Sequence, residues 1–344
     1  MNTPTMNDTA VNDDQSLLID AAERLFADLA AKRDADFSAL WPAVEEAGFP
    51  LLLVPEGDGG FGGSWKDAFA VLRLAGYHAL PLPVGEAVVA TWLLNRHGLE
   101  LPGGLVTIAG RTDGKLKNGR FTGQVSGVPW GHEAAGIVAV LKGHVILLAV
   151  EDAVSIARQE NLADEPRDTL EFAKAAVAYA PCTADLLSLG ALIRTAQIAG
   201  AMDAALAQSV AYANDRVQFG KPIGKFQALQ QNLAVFAEEA AAANCAGQAG
   251  FAAADKYDGD AGFETAAAKL RANMAIGIGT SVAHQLHGAI GFTREYHLHP
   301  LTRRLWSWRT EFGNDRLWSQ RLGEQVVAAG ADAFWPNLTD RSDA

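Results

Sequence analysis

Cysteine is almost absent from this chain of 344 residues, which has only Cys182 and Cys245. Two cysteines cannot build a disulfide framework, and neither stands in a metal-type spacing. Such sparse use fits a reducing compartment. Basic residues are also in deficit, with 28 Lys and Arg against 40 Asp and Glu, for a formal net charge of -12. A nucleic-acid binder needs the opposite balance, so nucleic acid is excluded as a partner. A phosphate-bearing small ligand is not, because it needs only a local cation. Long apolar runs are missing too. The most apolar stretch, residues 134–150, is broken by Lys142 and His144, too soon for a membrane span. The polar start of the chain lacks the apolar segment of a signal peptide, so the expected location is cytoplasmic. His284, His287, His297 and His299 lie close together in sequence. No nearby Cys or carboxylate completes a recognisable ligand set, so they are assigned packing or surface roles and no metal is expected.

What is present is an ordinary globular composition, 49% hydrophobic and 20% charged, with length for two or three domains. Residues 1–12 read as a disordered tail. Residues 13–100 read as a helical domain: Leu17, Leu18, Ala21, Leu25 and Leu29 mark one helical face, and further helices are expected over about 37–46, 65–78 and 84–96. Gly57 to Gly63 is a glycine-rich turn. No Gly-Lys-Ser/Thr follows it, so it reads as structural and not as a phosphate loop. The character changes near Pro102-Gly103. Residues 101–184 read as a small β domain, with short β-type runs at 105–108, 119–125, 136–140 and 144–150 separated by Gly, Asn and Asp. Residues 185–344 carry long alanine-rich segments at helical spacing, about 185–216, 226–256, 262–289 and 314–329, the pattern of a four-helix bundle. The fold class is therefore α+β, mostly α.

Two segments carry chemistry. Asp215-Arg216-Val217-Gln218-Phe219-Gly220-Lys221-Pro222 with Phe226-Gln227 sets a cation, amides and aromatics around a break between helices. Gln285-Leu286-His287-Gly288-Ala289-Ile290-Gly291-Phe292 places a Gln and small residues at the end of another helix. An Arg and glutamines beside a small-residue backbone can grip a pyrophosphate and a flat heteroaromatic ring.

With the segment from Glu45 to Gly62, including Val54-Pro55-Glu56-Gly57, and with Gly123-Gln124, these motifs resemble the acyl-CoA dehydrogenases over nearly the whole chain. The resemblance implies FAD as cofactor and an acyl-CoA thioester as substrate. In that family a carboxylate takes the α proton while the β hydride goes to the flavin. It also implies that Arg216, Phe219, Gln227, Gln285, Gly288 and Ala289 are the half of a flavin site that one subunit lends to its neighbour. Ala289 stands where a Gly is usual.

The half that a subunit keeps for its own flavin departs from the family pattern. The stretch from Val106 to Asp113 replaces a Thr-Glu-Pro-x-x-Gly-Ser-Asp loop, and Gly127-Val128-Pro129 replaces a Trp-Ile-Thr/Ser segment. Trp130 is a candidate replacement surface. The base departs as well. The two positions at which the resemblance puts a catalytic Glu fall on Phe312 and Gly190, with Glu311 adjacent to the first. Glu311 serves as base only if the backbone shifts by one residue; otherwise it reads as a solvated charge near a helix start. Three readings stay open: the base-less subunit of a heteromer (α2β2) with a homologous catalytic subunit, of the type acting on steroid side chains; a homo-oligomer using Glu311; and a flavin-free structural protein.

Overall fold

The computed structural model describes the backbone of residues 6–342 and the side chains of residues 15–341. Of the tail expected at residues 1–12, residues 1–5 lie outside the described residues, and the remainder belongs to α1 (Met6–Ala31). The N-terminal helices are completed by α2 (Phe37–Glu46), α3 (Trp65–Tyr77) and α4 (Val84–Arg96). Ser64 starts α3 with a reciprocal capping box to Asp67, which satisfies backbone donors that a helix start otherwise leaves bare. In the turn from Gly57 to Gly63, Gly62 N–H donates to the Val54 carbonyl and Gly63 N–H to that of Leu52, both at 2.8 Å. The turn therefore closes on its own backbone.

The β region has eight strands: β1 (Val106–Ile108), β2 (Arg111–Lys117), β3 (Arg120–Pro129), β4 (Gly136–Leu141), β5 (His144–Ala149), β6 (Ala153–Ala157), β7 (Arg167–Ala176) and β8 (Ala178–Pro181). They form two four-stranded sheets, ordered β1-β4-β5-β8 and β2-β3-β7-β6. Phe121, Val125, Ile137, Ile146, Leu148, Leu170 and Phe172 fill the space between the sheets. The first sheet also joins the helical core through Val106, Ile108, Val138 and Val145.

The C-terminal helices are α5 (Leu186–Asp215), α6 (Gln227–Lys256), α7 (Gly262–His287), α8 (His299–Thr310), α9 (Asp315–Ala329) and α10 (Ala331–Ser342). The four expected segments are α5, α6, α7 and α9, while α8 and α10 are additions. Helix α5 is buried along most of its length. It packs on α3 on one side, where Gly76 and Gly200 bring the two backbones together, and on α6 and α7 on the other. The core containing Leu72 and Leu93 continues into Ala191, Leu192, Phe251 and Trp318. The N-terminal helices and the bundle are thus one packed body.

Candidate functional site: an exposed bundle end and a cleft

The two motif segments meet at one end of the bundle. Helix α5 stops at Asp215, and Arg216 leaves it in extended conformation. The chain then turns through β9 (Val217–Gln218) and β10 (Lys221–Pro222). Phe219 (φ 54°) and Gly220 (φ 79°) supply the left-handed conformations of a two-residue hairpin. The Phe219 side chain is 89% exposed, and the Lys221 ammonium lies 4.4 Å from the centroid of the Phe226 ring. Helix α7 ends at Gly288, whose φ of 63° suits glycine; the space a Cβ would take there is open. Tyr212 of α5 stacks on His287 at 4.5 Å, and its hydroxyl donates to the His287 carbonyl at 3.5 Å, tying the segments together.

All six residues expected to grip a flavin, Arg216, Phe219, Gln227, Gln285, Gly288 and Ala289, are therefore exposed at this end. The side chains of Arg216, Gln227 and Gln285 are not engaged by hydrogen bonds or ion pairs among the described residues. A free guanidinium and two free amides beside an uncrowded left-handed glycine fit an anionic phosphate group. The neighbouring histidines take packing roles. His287 is buried, His284 stacks on Phe292 at 4.2 Å, and burial pushes both imidazoles below their ordinary pKa. Among the described residues no His, Cys, Asp and Glu group could hold a metal.

The second feature is a cleft of about 870 Å³ between the β strands and the bundle, lined among others by Gly110, Arg111, Ser126, Asn161, Glu311 and Phe312. Its floor is built at the end of α8. The Lys269 ammonium, buried in α7, donates to the Trp308 carbonyl and to Asn273 Oδ1, each at 2.7 Å. It thus satisfies a carbonyl that the end of α8 leaves open. Burial, with Arg194 nearby, lowers the Lys269 pKa to about 7. Glu311 follows α8 in extended backbone, and its side chain is 15% exposed. The expectation of a solvated charge near a helix start is corrected: Glu311 sits after a helix end and is enclosed by cations. One carboxylate oxygen accepts from Asn161 Nδ2 at 2.9 Å and Arg167 Nε at 3.0 Å. The other accepts from Arg194 Nε at 2.9 Å and Arg167 Nη2 at 3.1 Å.

The ion pairs continue in both directions. Arg194 Nη2 donates to Glu86 at 2.5 Å and Arg194 Nη1 to Gln197 at 2.5 Å. Arg167 Nη2 donates to Glu165 at 3.0 Å, and Glu165 accepts from Arg304 Nε at 2.8 Å. Six buried charges thus alternate in sign from α4 to α8. Burial alone would raise the Glu311 carboxyl; Arg167 and Arg194 outweigh it and hold it at about 2. Such a carboxylate is a weak proton acceptor near neutral pH.

Phe312 adopts φ 52°, and its carbonyl accepts from Trp318 Nε1 at 3.1 Å. Its ring lies directly over Gly190 of α5, so that a Cβ on Gly190 would overlap the ring. The Arg194 guanidinium covers the same ring at 5.3 Å. The two positions where resemblance puts a base therefore face each other, and neither ionises. We expect Gly190→Ala to cost about 1–3 kcal/mol by overpacking. In a Phe312→Ala background that cost should largely vanish. A double-mutant cycle from urea titrations measures the coupling, and additive effects would mean that the two residues do not touch. Trp130 is not a wall of the cleft: it is 6% exposed, with the Arg167 guanidinium 5.3 Å over its ring.

Arg194, Arg167, Glu86, Asn161 and Glu165 escaped the sequence reading. The available signal was Glu86 and Arg194, single charges inside otherwise apolar helical stretches, which demand buried partners.

Helices in front, a double β sheet in the middle and an α bundle behind, with a cleft where they meet, define an acyl-CoA dehydrogenase-like fold. Residues 182–326 match the family described as acyl-CoA dehydrogenase, C-terminal domain, so the chain carries that family's C-terminal domain. It is 28% identical over 298 residues to acyl-CoA dehydrogenase IpdE2 of Mycolicibacterium smegmatis, covering 83% of this chain and 88% of the relative. It is 30% identical over 292 residues to acyl-CoA dehydrogenase FadE34 of Mycobacterium tuberculosis, covering 79% of this chain and 40% of the relative. Two solved structures share the fold. A variant of the Tcur3481-Tcur3483 steroid ACAD superposes with a TM-score of 0.83 at 23% identity, covering 93% of this chain and 99% of that one. The ChsE4-ChsE5 complex from Mycobacterium tuberculosis gives 0.82 at 22% identity, covering 96% and 100%. No helix among the described residues is long and apolar enough to cross a membrane.

Proposed function

We propose that the chain is the non-basic subunit of a heteromeric, FAD-dependent acyl-CoA dehydrogenase. The observation that carries this reading is the contact of Phe312 with Gly190, which fills both base positions with groups that cannot accept a proton. Glu311 does not replace them, because its lone pairs are engaged by Arg167, Arg194 and Asn161. This weighs against a self-sufficient homo-oligomer. The bundle end is the working surface. Arg216 would bind the cofactor's pyrophosphate by charge-assisted hydrogen bonds, Gln227 and Gln285 would orient it, and Gly288 and Ala289 would let it approach the backbone. Phe219 offers a ring face to a flat heteroaromatic group. When bound, FAD supplies the hydride acceptor. The base would come from a homologous catalytic subunit that acts on an acyl-CoA thioester. Support for a paired assembly comes from the fold shared with the ChsE4-ChsE5 complex and the Tcur3481-Tcur3483 steroid ACAD. A bulky acyl chain such as a steroid side chain is the substrate class this favours.

The test is purification of the chain alone and after co-expression with a Glu-bearing acyl-CoA dehydrogenase paralogue. Flavin absorbance and light scattering are then read on both samples. Alone, the chain should carry little flavin and oxidise no acyl-CoA. In the complex it should carry flavin, and Arg216→Ala should reduce its retention by about tenfold or more, the loss of a charged hydrogen bond. Activity of the isolated chain that Glu311→Gln abolishes would establish the homomeric reading instead. A colourless, inactive complex would favour the flavin-free one.

A further inference from the structure

The alternating charges beneath the cleft link the strand β7 region to the helices around it. Among the described residues, none of β2, β3, β6 or β7 belongs to a hydrophobic core that includes a bundle residue. The sheet that these strands form packs its apolar side chains Phe121, Val125, Leu170 and Phe172 against the first sheet. Its described links to the bundle are polar and concentrate in residues 161–167. Asn161 and Arg167 bind Glu311, Glu165 binds Arg304, and Asp164 binds Arg303. The first three bonds are largely sheltered from water. The last is an exposed bidentate pair at 2.6 Å.

We propose that Glu311 and its buried partners are a latch that fastens the second β sheet to the helical body and sets the width of the cleft without a bound cofactor. The geometry suits that task. Glu311 stands between Arg167 of β7 and Arg194 of α5, and Arg194 reaches on to Glu86 of α4. One carboxylate therefore joins all three parts of the chain. Removing one member from such a chain leaves an excess buried charge, which costs far more than losing an exposed pair. The latch also needs directional partners. Replacement of the cation or the carboxylate by an apolar group fills the volume but does not fix the angle between sheet and bundle.

Amide hydrogen exchange on the full chain without added flavin tests this. Glu311→Gln should raise exchange across residues 159–176 by about tenfold or more relative to α6, as expected when buried charged bonds open a local unit. Arg303→Ala, which removes the exposed pair between the same two segments, should leave 159–176 within about twofold of the parent. If Glu311→Gln does not fold, Glu165→Gln decides the matter, because it loosens the same segment while Arg194 stays paired. An increase confined to 159–176 supports the latch. No increase there, or an equal increase in α6, overturns it.

Discussion

Arg194→Met should destabilise the chain by about 3–5 kcal/mol, a large part of the roughly 5–15 kcal/mol that holds a typical domain together. Methionine can fill much of the volume but donates nothing. Arg194 is 1% exposed, and its guanidinium serves Glu86, Glu311 and Gln197 at once. Glu86 already keeps one carboxylate oxygen without a partner, so the variant would bury it with none. The same substitution removes one of the two cations that hold Glu311 at about 2.

The pH signature follows from that depressed value. A carboxyl whose folded pKa lies below its unfolded one contributes stability in full above the unfolded value, ordinarily 4.5, and loses it as pH falls through about 2. With Arg194 gone, the folded pKa of Glu311 rises and this contribution shrinks. Acid unfolding of the variant should therefore begin at higher pH than in the parent. Urea titrations at pH 7 and pH 4 measure both effects. A loss under about 1 kcal/mol at pH 7 would show that the ion chain is not the tightly coupled unit its distances imply. Adding Glu86→Leu should recover part of the loss, because an apolar residue there removes an unpaired charge.

Much of this architecture was legible beforehand, for reasons that differ by element. Helices α2, α3 and α4 follow apolar spacing and clear punctuation: Gly48-Phe49-Pro50 ends one, and Ser64 begins another with its cap. The bundle helices announce themselves by length and alanine content. The strands were half legible. Strands β1, β4 and β5 carry apolar runs, and in β3 Phe121 and Val125 stand buried among polar residues and glycines. Strand β2 is an edge strand with Arg111, Lys115 and Lys117 and no buried residue, so nothing in its hydropathy marks it. Its charges suit an edge that must not pair further. Strand β7 was readable in principle, because Leu170 and Phe172 alternate with polar neighbours.

The site divides in the same way. Arg216, Gln227, Gln285 and Gly288 could be singled out as candidates because they lie in two short segments, and the fold brings the helix ends that carry them to one end of the bundle. The ion chain was hidden because its members come from α4, α5, the turn before β7, β7 itself, α8 and the residue that follows it, with more than a hundred residues between Glu86 and Arg194. Local pattern says that a charge in an apolar helix needs a partner, but not which one. The contact of Gly190 with Phe312 was hidden for the same reason, although both positions had been singled out separately.

Gly200→Ala should be as damaging as the loss of Arg194, by a different mechanism. A Cβ on Gly200 would overlap the carbonyl oxygen of Arg73 and crowd the backbone nitrogen of Tyr77. Across the same crossing, a Cβ on Gly76 would overlap the carbonyl oxygen of Gln197. These obstacles are backbone atoms, so no side chain can rotate away and the helices must separate. Overpacking of this kind costs about 3 kcal/mol or more when the surroundings cannot yield. They cannot yield easily here, because Arg73 is anchored to Asp203 and Asn244 at the same crossing. Gly323 of α9 is the matching control. Nothing lies within 4 Å of its added Cβ, so Gly323→Ala should stabilise by up to about 1 kcal/mol through helix propensity. Thermal unfolding of the two variants gives shifts of opposite sign if this is right. The displacement should also reach function, since α5 carries Gly190 and Arg194 at one end and leads into Arg216 at the other. Separating α3 from α5 should therefore weaken flavin retention in the complex even though Gly200 touches neither site. Unchanged stability in Gly200→Ala would mean that the helices pass further apart than their glycines indicate.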